Sequence, residues 1–81
     1  MTYLLIEIQA MNEDHGGTAT VVTPIWSGKD INKAISKFHS VCVYGADPEL
    51  SVCDIHTIML MDSTGNVVPG CYASFVHHHI D

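Results

Sequence analysis

Four short stretches of this chain carry the apolar residues typical of β-strands, whereas a fifth stretch spaces its apolar residues as a helix does. The strand-like stretches cover residues 2–10, 20–26, 52–62 and 67–76. A period of two is typical of β-strands, because successive side chains point to opposite faces of a sheet. Residues 27–47 predict a helix. The pattern therefore predicts an α+β fold in the order β-β-α-β-β, a four-stranded, mostly antiparallel sheet with one helix packed on one face.

The predicted helix has clear start and stop signals. Ser27 is the expected N-cap, with Asp30 three residues later in the place of the usual capping-box Glu. Gly45 and Asp47-Pro48 end it, because the residue before a proline disfavours the helical conformation. The side chains expected on its buried stripe follow the helical spacing: Ile31, Ala34, Ile35, Phe38, Val41, Cys42 and Val43.

Proline and glycine place the strands within the sheet. Pro24 predicts that the second strand lies at an edge or ends near Pro24, and Pro69-Gly70 predicts a bulged or edge fourth strand. Residues 58–61 are apolar on both faces, which indicates that the third strand is central. We expect the first two strands to form a hairpin across Gly16-Gly17, and residues 62–66 to form a second hairpin turn.

One face of the sheet stays partly apolar when the helix covers the other. We expect the following residues to fill that face in a dimer: Leu5, Trp26, Met59 and Met61. The chain has 81 residues, forms a single domain, and is 47% hydrophobic. Such a small domain has a thin core, so the excess apolar surface predicts a homo-oligomer.

The charge balance excludes some classes of partner. Nine acidic residues face three lysines and no arginine, for a net charge of −6. Binding to nucleic acid or to an anionic membrane depends on Lys and Arg, so neither is expected. The N-terminal segment lacks a signal-peptide pattern, no apolar run is long enough to span a membrane, and the predicted location is the cytoplasm.

The three lysines fall in one row on the predicted helix. Lys29, Lys33 and Lys37 are spaced i, i+4, i+8. One interpretation is a solvated face that balances acidic neighbours. The other is an anion-binding site that also includes Trp26 and His39, with Lys29 near a helix N-terminus whose N–H groups favour anions. These five residues are the candidate ligand-binding residues.

Catalytic and metal-binding patterns are weak. Cys42, Cys53 and Cys71 are an odd number of cysteines without a CxxC motif, which disfavours a disulfide framework. Pairing of a cysteine with His39 or His56 is conceivable, yet no nucleophile elbow, phosphate loop or HExxH helix is present. The terminal run of residues 77–79 lacks a recognisable zinc-ligand pattern even with Cys71 or His56 added. We predict no catalytic residue, no metal and no cofactor.

Several short segments resemble a family of small proteins. They are YLLIEIQ (residues 3–9), SKFHS (36–40), MLMDSTG (59–65) and CY (71–72). In this order they resemble proteins carried by prophages and mobile elements of Gram-positive gut bacteria. That family has an early YxVIEIQ-like strand, a K-Y/F-H triplet in the helix and a C-terminal Tyr and His. The resemblance implies a phage accessory protein and transfers no catalytic residue.

Two functions follow as hypotheses. The first is a non-enzymatic, oligomeric binding protein that counters host defence, by sequestering a nucleotide-derived signal or by binding a host defence protein. The alternative is an acidic inhibitor that mimics nucleic acid and binds a basic host enzyme. The alternative requires a cluster of acidic residues: Glu13, Asp14, Asp47 and Glu49. A purely structural or assembly role is the third class.

Overall fold

The predicted order of elements is confirmed. The computed structural model describes residues 1–10, 20–47, 49 and 54–77. Its elements are β1 (Tyr3–Ala10), β2 (Thr20–Gly28), α1 (Ile31–Ala46), β3 (Ile55–Asp62) and β4 (Val67–Val76). The Gly16-Gly17 loop, residues 52 and 53 and the histidines at 78 and 79 lie outside the described residues.

The four strands form one antiparallel sheet in the order β2-β1-β3-β4. The predicted edge position of β2 is confirmed, and so is the central position of β3. Pro24 lies opposite Ile6, where the register between β1 and β2 shifts. The predicted bulge in β4 is also confirmed, because its register with β3 shifts between Met59 and Met61. Gly70, with φ of +79°, lies in that irregular segment.

The predicted N-cap of the helix is wrong. Ser27 belongs to β2, and the helix begins at Ile31 with Asp30 as its N-cap. The Asp30 carboxylate accepts hydrogen bonds from the backbone N–H of Asn32 at 2.9 Å and of Lys33 at 3.2 Å. A carboxylate at this position satisfies two N–H groups that have no partner within the helix. Lys29 therefore precedes the helix instead of opening a row along it.

Fewer helix residues are buried against the sheet than the spacing of apolar residues predicted. Ala34 and Phe38 are buried, whereas Ile31 and Val43 are 39% and 68% exposed. Val43 lies roughly 140° around the helix axis from Phe38, at about 100° per residue. Ile31 lies in the first turn, three residues after the edge strand ends, at the margin of the sheet. Both residues were wrongly assigned to the buried stripe.

The core lies between the helix and one face of the sheet. Leu5, Ile58 and Leu60 are fully buried beneath it. Trp26, Leu5 and Leu60 are opposite one another in the register, so their side chains share this covered face. The expectation that Leu5 and Trp26 fill the uncovered face is therefore wrong, since the register places both in a row under the helix.

We call the other side of the sheet the open face. It carries the alternate positions of each strand, and the register aligns them with one another. Met59 and Met61 lie there as predicted. The apolar members are Leu4, Ile6, Ile8, Ala10, Val22, Pro24, Ile55, Met59, Met61, Val67, Tyr72 and Val76.

Gly45 allows the end of the helix to approach the sheet closely. A Cβ atom at this buried position would lie 2.7 Å from Cδ1 of Ile58. The carbonyl oxygen of Gly45 lies 2.6 Å from Nε2 of His77, at hydrogen-bonding distance. The backbone N–H of His77 also donates to the carbonyl of Asp54 at 2.7 Å. These contacts join the end of the helix to the end of β4.

The predicted hairpin turn between β3 and β4 is built on Asp62. Its carboxylate accepts hydrogen bonds from the Thr64 hydroxyl and from the backbone N–H groups of Thr64 and Asn66. These bonds, that of the Thr64 hydroxyl foremost, lower the pKa of the Asp62 carboxyl below its ordinary value. The ionised Asp62 carboxylate therefore stabilises the turn fully at pH values above the ordinary carboxyl pKa. This stabilisation is lost as the pH falls through the lowered pKa of Asp62.

Substitution of the two candidate N-caps tests the start of the helix. We expect Asp30→Ala to lower the free energy of unfolding by about 1 kcal/mol, because two N–H groups lose their acceptor. Ser27→Ala, on the edge strand, should change it by less than about 0.5 kcal/mol. Urea unfolding at one protein concentration measures both. A larger loss for Ser27→Ala would contradict the assignment.

Candidate ligand-binding cleft

An open cleft of about 550 Å³ lies beside the helix and Trp26 of β2. It brings together three of the five candidate ligand-binding residues, namely Trp26, Lys33 and Lys37. Three polar residues of the helix complete the lining: Asn32, Ser36 and Ser40. The cleft thus combines one aromatic ring, two ammonium groups and a set of small polar side chains.

The neighbouring glycine makes room for the Trp26 ring. Trp26 and Gly28 lie two residues apart on the same side of β2. A Cβ atom at Gly28 would lie 2.7 Å from both Cζ2 and Cη2 of the indole. Trp26 is half-buried and packs against the core. Its ring therefore lies against Gly28 at the border between core and cleft.

Helical periodicity explains the polar wall of the cleft. Lys33 and Lys37 are four residues apart, and Asn32, Ser36 and Ser40 continue the same spacing in an adjacent row. The Ser40 hydroxyl donates to the Ser36 carbonyl at 3.1 Å. The predicted ligand-binding residues do not include this polar row, although its spacing of four residues indicates that the three side chains lie along one side of the helix.

The other two candidate residues do not line the cleft. Lys29 is exposed and lies before the N-cap, and the N–H groups of Asn32 and Lys33 at the helix N-terminus are bound by Asp30. His39 is exposed, and its ring packs edge-on against Phe38 with 5.3 Å between ring centroids. A role for Lys29 or His39 in ligand binding stays a prediction.

A partly buried polar cluster around His56 lies elsewhere, where β1 pairs with β3. Nε2 of His56 lies 2.8 Å from Oε2 of Glu7, and the other carboxylate oxygen of Glu7, Oε1, accepts a hydrogen bond from the Gln9 amide at 3.1 Å. His56 is 3% exposed. The sequence provided no signal for this pairing, because the partners are far apart in the chain and meet only through strand register.

The described cysteines are poor nucleophiles. Burial raises the pKa of the Cys42 thiol, and the neighbouring Cys71 raises it further. Burial also raises the pKa of the Cys71 thiol. The reactive form of cysteine is the thiolate, so both groups stay in the less reactive protonated form at neutral pH.

The sequence also offers candidate metal ligands and a candidate acidic cluster. Within residues 1–10, 20–47, 49 and 54–77, no group of three His, Cys, Asp or Glu side chains is arranged to hold a metal ion. Asp47 and Glu49 are neighbours, since the Glu49 N–H donates to the Asp47 carboxylate at 2.9 Å. Glu13 and Asp14 lie outside the described residues, so the acidic-mimic alternative stays a prediction.

Comparison with known proteins identifies no relative. No family model, no curated protein sequence and no solved structure matches this chain. In the part of the chain that the structure describes, no helix has the length and hydropathy needed to cross a membrane. We therefore infer the function from the residues of the cleft itself.

A methyl group at Gly28 tests the placement of the indole. We expect Gly28→Ala to turn the Trp26 ring away, because the new Cβ and the ring cannot share the same space. Trp26 is the one tryptophan of the chain, so its fluorescence reports the change directly. Emission should shift to longer wavelength and acrylamide quenching should increase. Ser27→Ala, the adjacent residue on the open face, is the control and should leave both unchanged.

Proposed function

We propose that this chain is a binding protein that holds a small anionic ligand of the nucleotide class in the cleft. The observation that carries the proposal is that Trp26 and two of the three lysines line one cleft. The ligand is bound and not converted. An anionic group with an attached aromatic base matches this lining better than a simple anion, because the indole adds a stacking surface.

Each part of the cleft has a role in this proposal. The ammonium groups of Lys33 and Lys37 bind phosphate oxygens as point charges. The Trp26 indole stacks on the base, an interaction of about 1–3 kcal/mol in nucleic-acid complexes. Asn32 and Ser36 donate and accept hydrogen bonds. A volume of about 550 Å³ is within the usual range for small-molecule sites.

The electrostatics of the whole chain support this location. A net charge of −6 repels anions over most of the surface. Lys33 and Lys37 supply neighbouring positive charges on one wall of the cleft. A phosphorylated ligand is therefore attracted to this part of the molecule.

We connect the cleft with a biological role through the resemblance to prophage proteins. In this proposal the chain acts in the cytoplasm of a bacterial host, as a homo-oligomer, and sequesters a nucleotide-derived defence signal. Binding alone is enough, because a signal held in the cleft is withheld from its receptor. The alternative partner within this hypothesis is a host defence protein.

Three charge reversals of equal size test the cleft by isothermal titration calorimetry. The probes are ATP and a cyclic dinucleotide. Lys33→Glu and Lys37→Glu should each weaken binding at least about tenfold, because a charge-assisted hydrogen bond is replaced by repulsion. Lys29→Glu changes the net charge equally but lies outside the cleft, and should weaken binding less than about threefold.

Two results would contradict the proposal. One is the absence of binding or of a thermal shift with any nucleotide. The other is an equal loss for all three reversals, which indicates a general charge effect. Binding of a host protein with no nucleotide affinity would favour the alternative partner.

A further inference from the structure

The open face carries no charged side chain among the residues that the structure describes. All the described carboxylates lie elsewhere: Glu7 on the covered face, Asp54 buried, Asp62 in the hairpin turn, and Asp30, Asp47 and Glu49 at the ends of the helix. The lysines lie on or before the helix. On a chain of net charge −6, a whole sheet face without charge is unusual.

The hydroxyl groups in the middle of this face bond to each other. Thr57 of β3 and Ser74 of β4 are opposite in the register, and their side-chain oxygens are 3.0 Å apart. The pair is surrounded by apolar neighbours such as Ile8 and Met59. Because each hydroxyl already has a partner, this part of the face can be buried without leaving these groups unsatisfied.

Several large apolar side chains of this face are exposed in the single chain, whereas Ile6, Ile8, Met59 and Met61 are half-buried. Val22, Tyr72 and Val76 are 58%, 58% and 62% exposed. Antiparallel sheets that face solvent normally carry polar residues on that side. A mostly apolar and uncharged patch of this kind marks an interaction surface.

We infer that the open face is the contact surface for a second copy of this chain. This inference rests on the homo-oligomer in the proposed function, and it identifies the surface through which the copies associate. Two open faces pack against each other as a sandwich, with the sheets about 10 Å apart. The contact is isologous, so the same residues contribute from both copies.

Charge favours a second copy over a charged partner. Two copies of an acidic chain repel each other, and this face brings them together with no described carboxylate between them. Both helices, with their acidic ends, remain on the outside. A basic or acidic partner would gain no ion pair here and would have to bury its own charges.

The area is sufficient for a dimer. Four strands about 4.8 Å apart, with about eight residues at 3.3 Å each, give a face of roughly 500 Å². Two such faces bury roughly 1,000 Å², the lower bound for a specific interface. We therefore expect a dimer that dissociates on dilution. The clefts, on the helix side of each sheet, stay accessible in it.

Two variants of identical composition test this inference by analytical ultracentrifugation. Tyr72→Glu places a carboxylate on the open face, and Tyr44→Glu places it on the exposed side of the helix. The wild-type tyrosines are 58% and 61% exposed, so we expect the two substitutions to change the stability of the single chain by similar amounts. We expect Tyr72→Glu to raise the dimer Kd at least about a hundredfold, because the interface would bury unpaired charges. Tyr44→Glu should change it less than about twofold.

A second matched pair of variants keeps the test informative if a variant of the first pair does not fold. Val76→Glu and Val43→Glu repeat the comparison with wild-type exposures of 62% and 68%. Circular dichroism establishes which variants are folded. A wild-type chain that is monomeric at every concentration would overturn the inference. So would equal dimerisation of a folded open-face variant and its helix control.

Titration with ATP separates this inference from the proposed function. Folded Tyr72→Glu should be monomeric and should bind ATP per chain within about twofold of wild type, because the cleft is on the opposite side of the sheet. A wild-type dimer that binds no nucleotide would refute the cleft and leave the interface standing. A monomer that binds ATP in the cleft would refute the interface alone.

Discussion

The packing of Ala34 and Phe38 onto the row formed by Leu5 and Leu60 determines the rest of this structure. It selects the covered face of the sheet, since both sides of β1 carry large apolar residues. Burial of a large apolar side chain contributes about 1.5–3 kcal/mol, so the face under the helix dominates the stability of such a small domain. Once this row is covered, Trp26 lies on the helix side at the border of the cleft. Met59 and Tyr72 are left on the open face.

Two glycines, one before the helix and one near its end, permit close contacts in this packing. Gly45 admits Ile58 against the helix, and Gly28 admits the Trp26 ring against β2. In both cases the missing side chain permits a contact that a Cβ atom would obstruct. The first contact brings the end of the helix close to the sheet, and the second accommodates the aromatic ring that lines the cleft together with Lys33 and Lys37. Trp26 therefore both packs against the core and lines the cleft.

Much of the fold is predictable from the sequence, because alternation, Pro24 and the residues at 62–66 are strong local signals. The face of the sheet that the helix covers is not predictable from the sequence, because Leu4 and Ile6 on one side of β1 are as apolar as Leu5 on the other. Only the packing of the helix determines which face is buried. The N-cap was missed because Ser27 and Asp30 are both good caps, and pairing of β2 with β1 extends the strand through Ser27. In the cleft, Trp26, Lys33 and Lys37 were predicted from residue type. The spacing of Asn32, Ser36 and Ser40 places them in one row of the helix, but only the position of β2 beside the helix shows that this row lines a cleft.

The central claim is that the cleft recognises an anion and an aromatic group together. Nuclear magnetic resonance titration with ATP and with inorganic pyrophosphate measures this directly. Both ligands should shift the backbone amide signals of Lys33 and Lys37, and ATP alone should strongly shift the indole N–H signal of Trp26. Shifts centred on Tyr72 and the open face, or an indole signal that does not respond to ATP, would contradict the account.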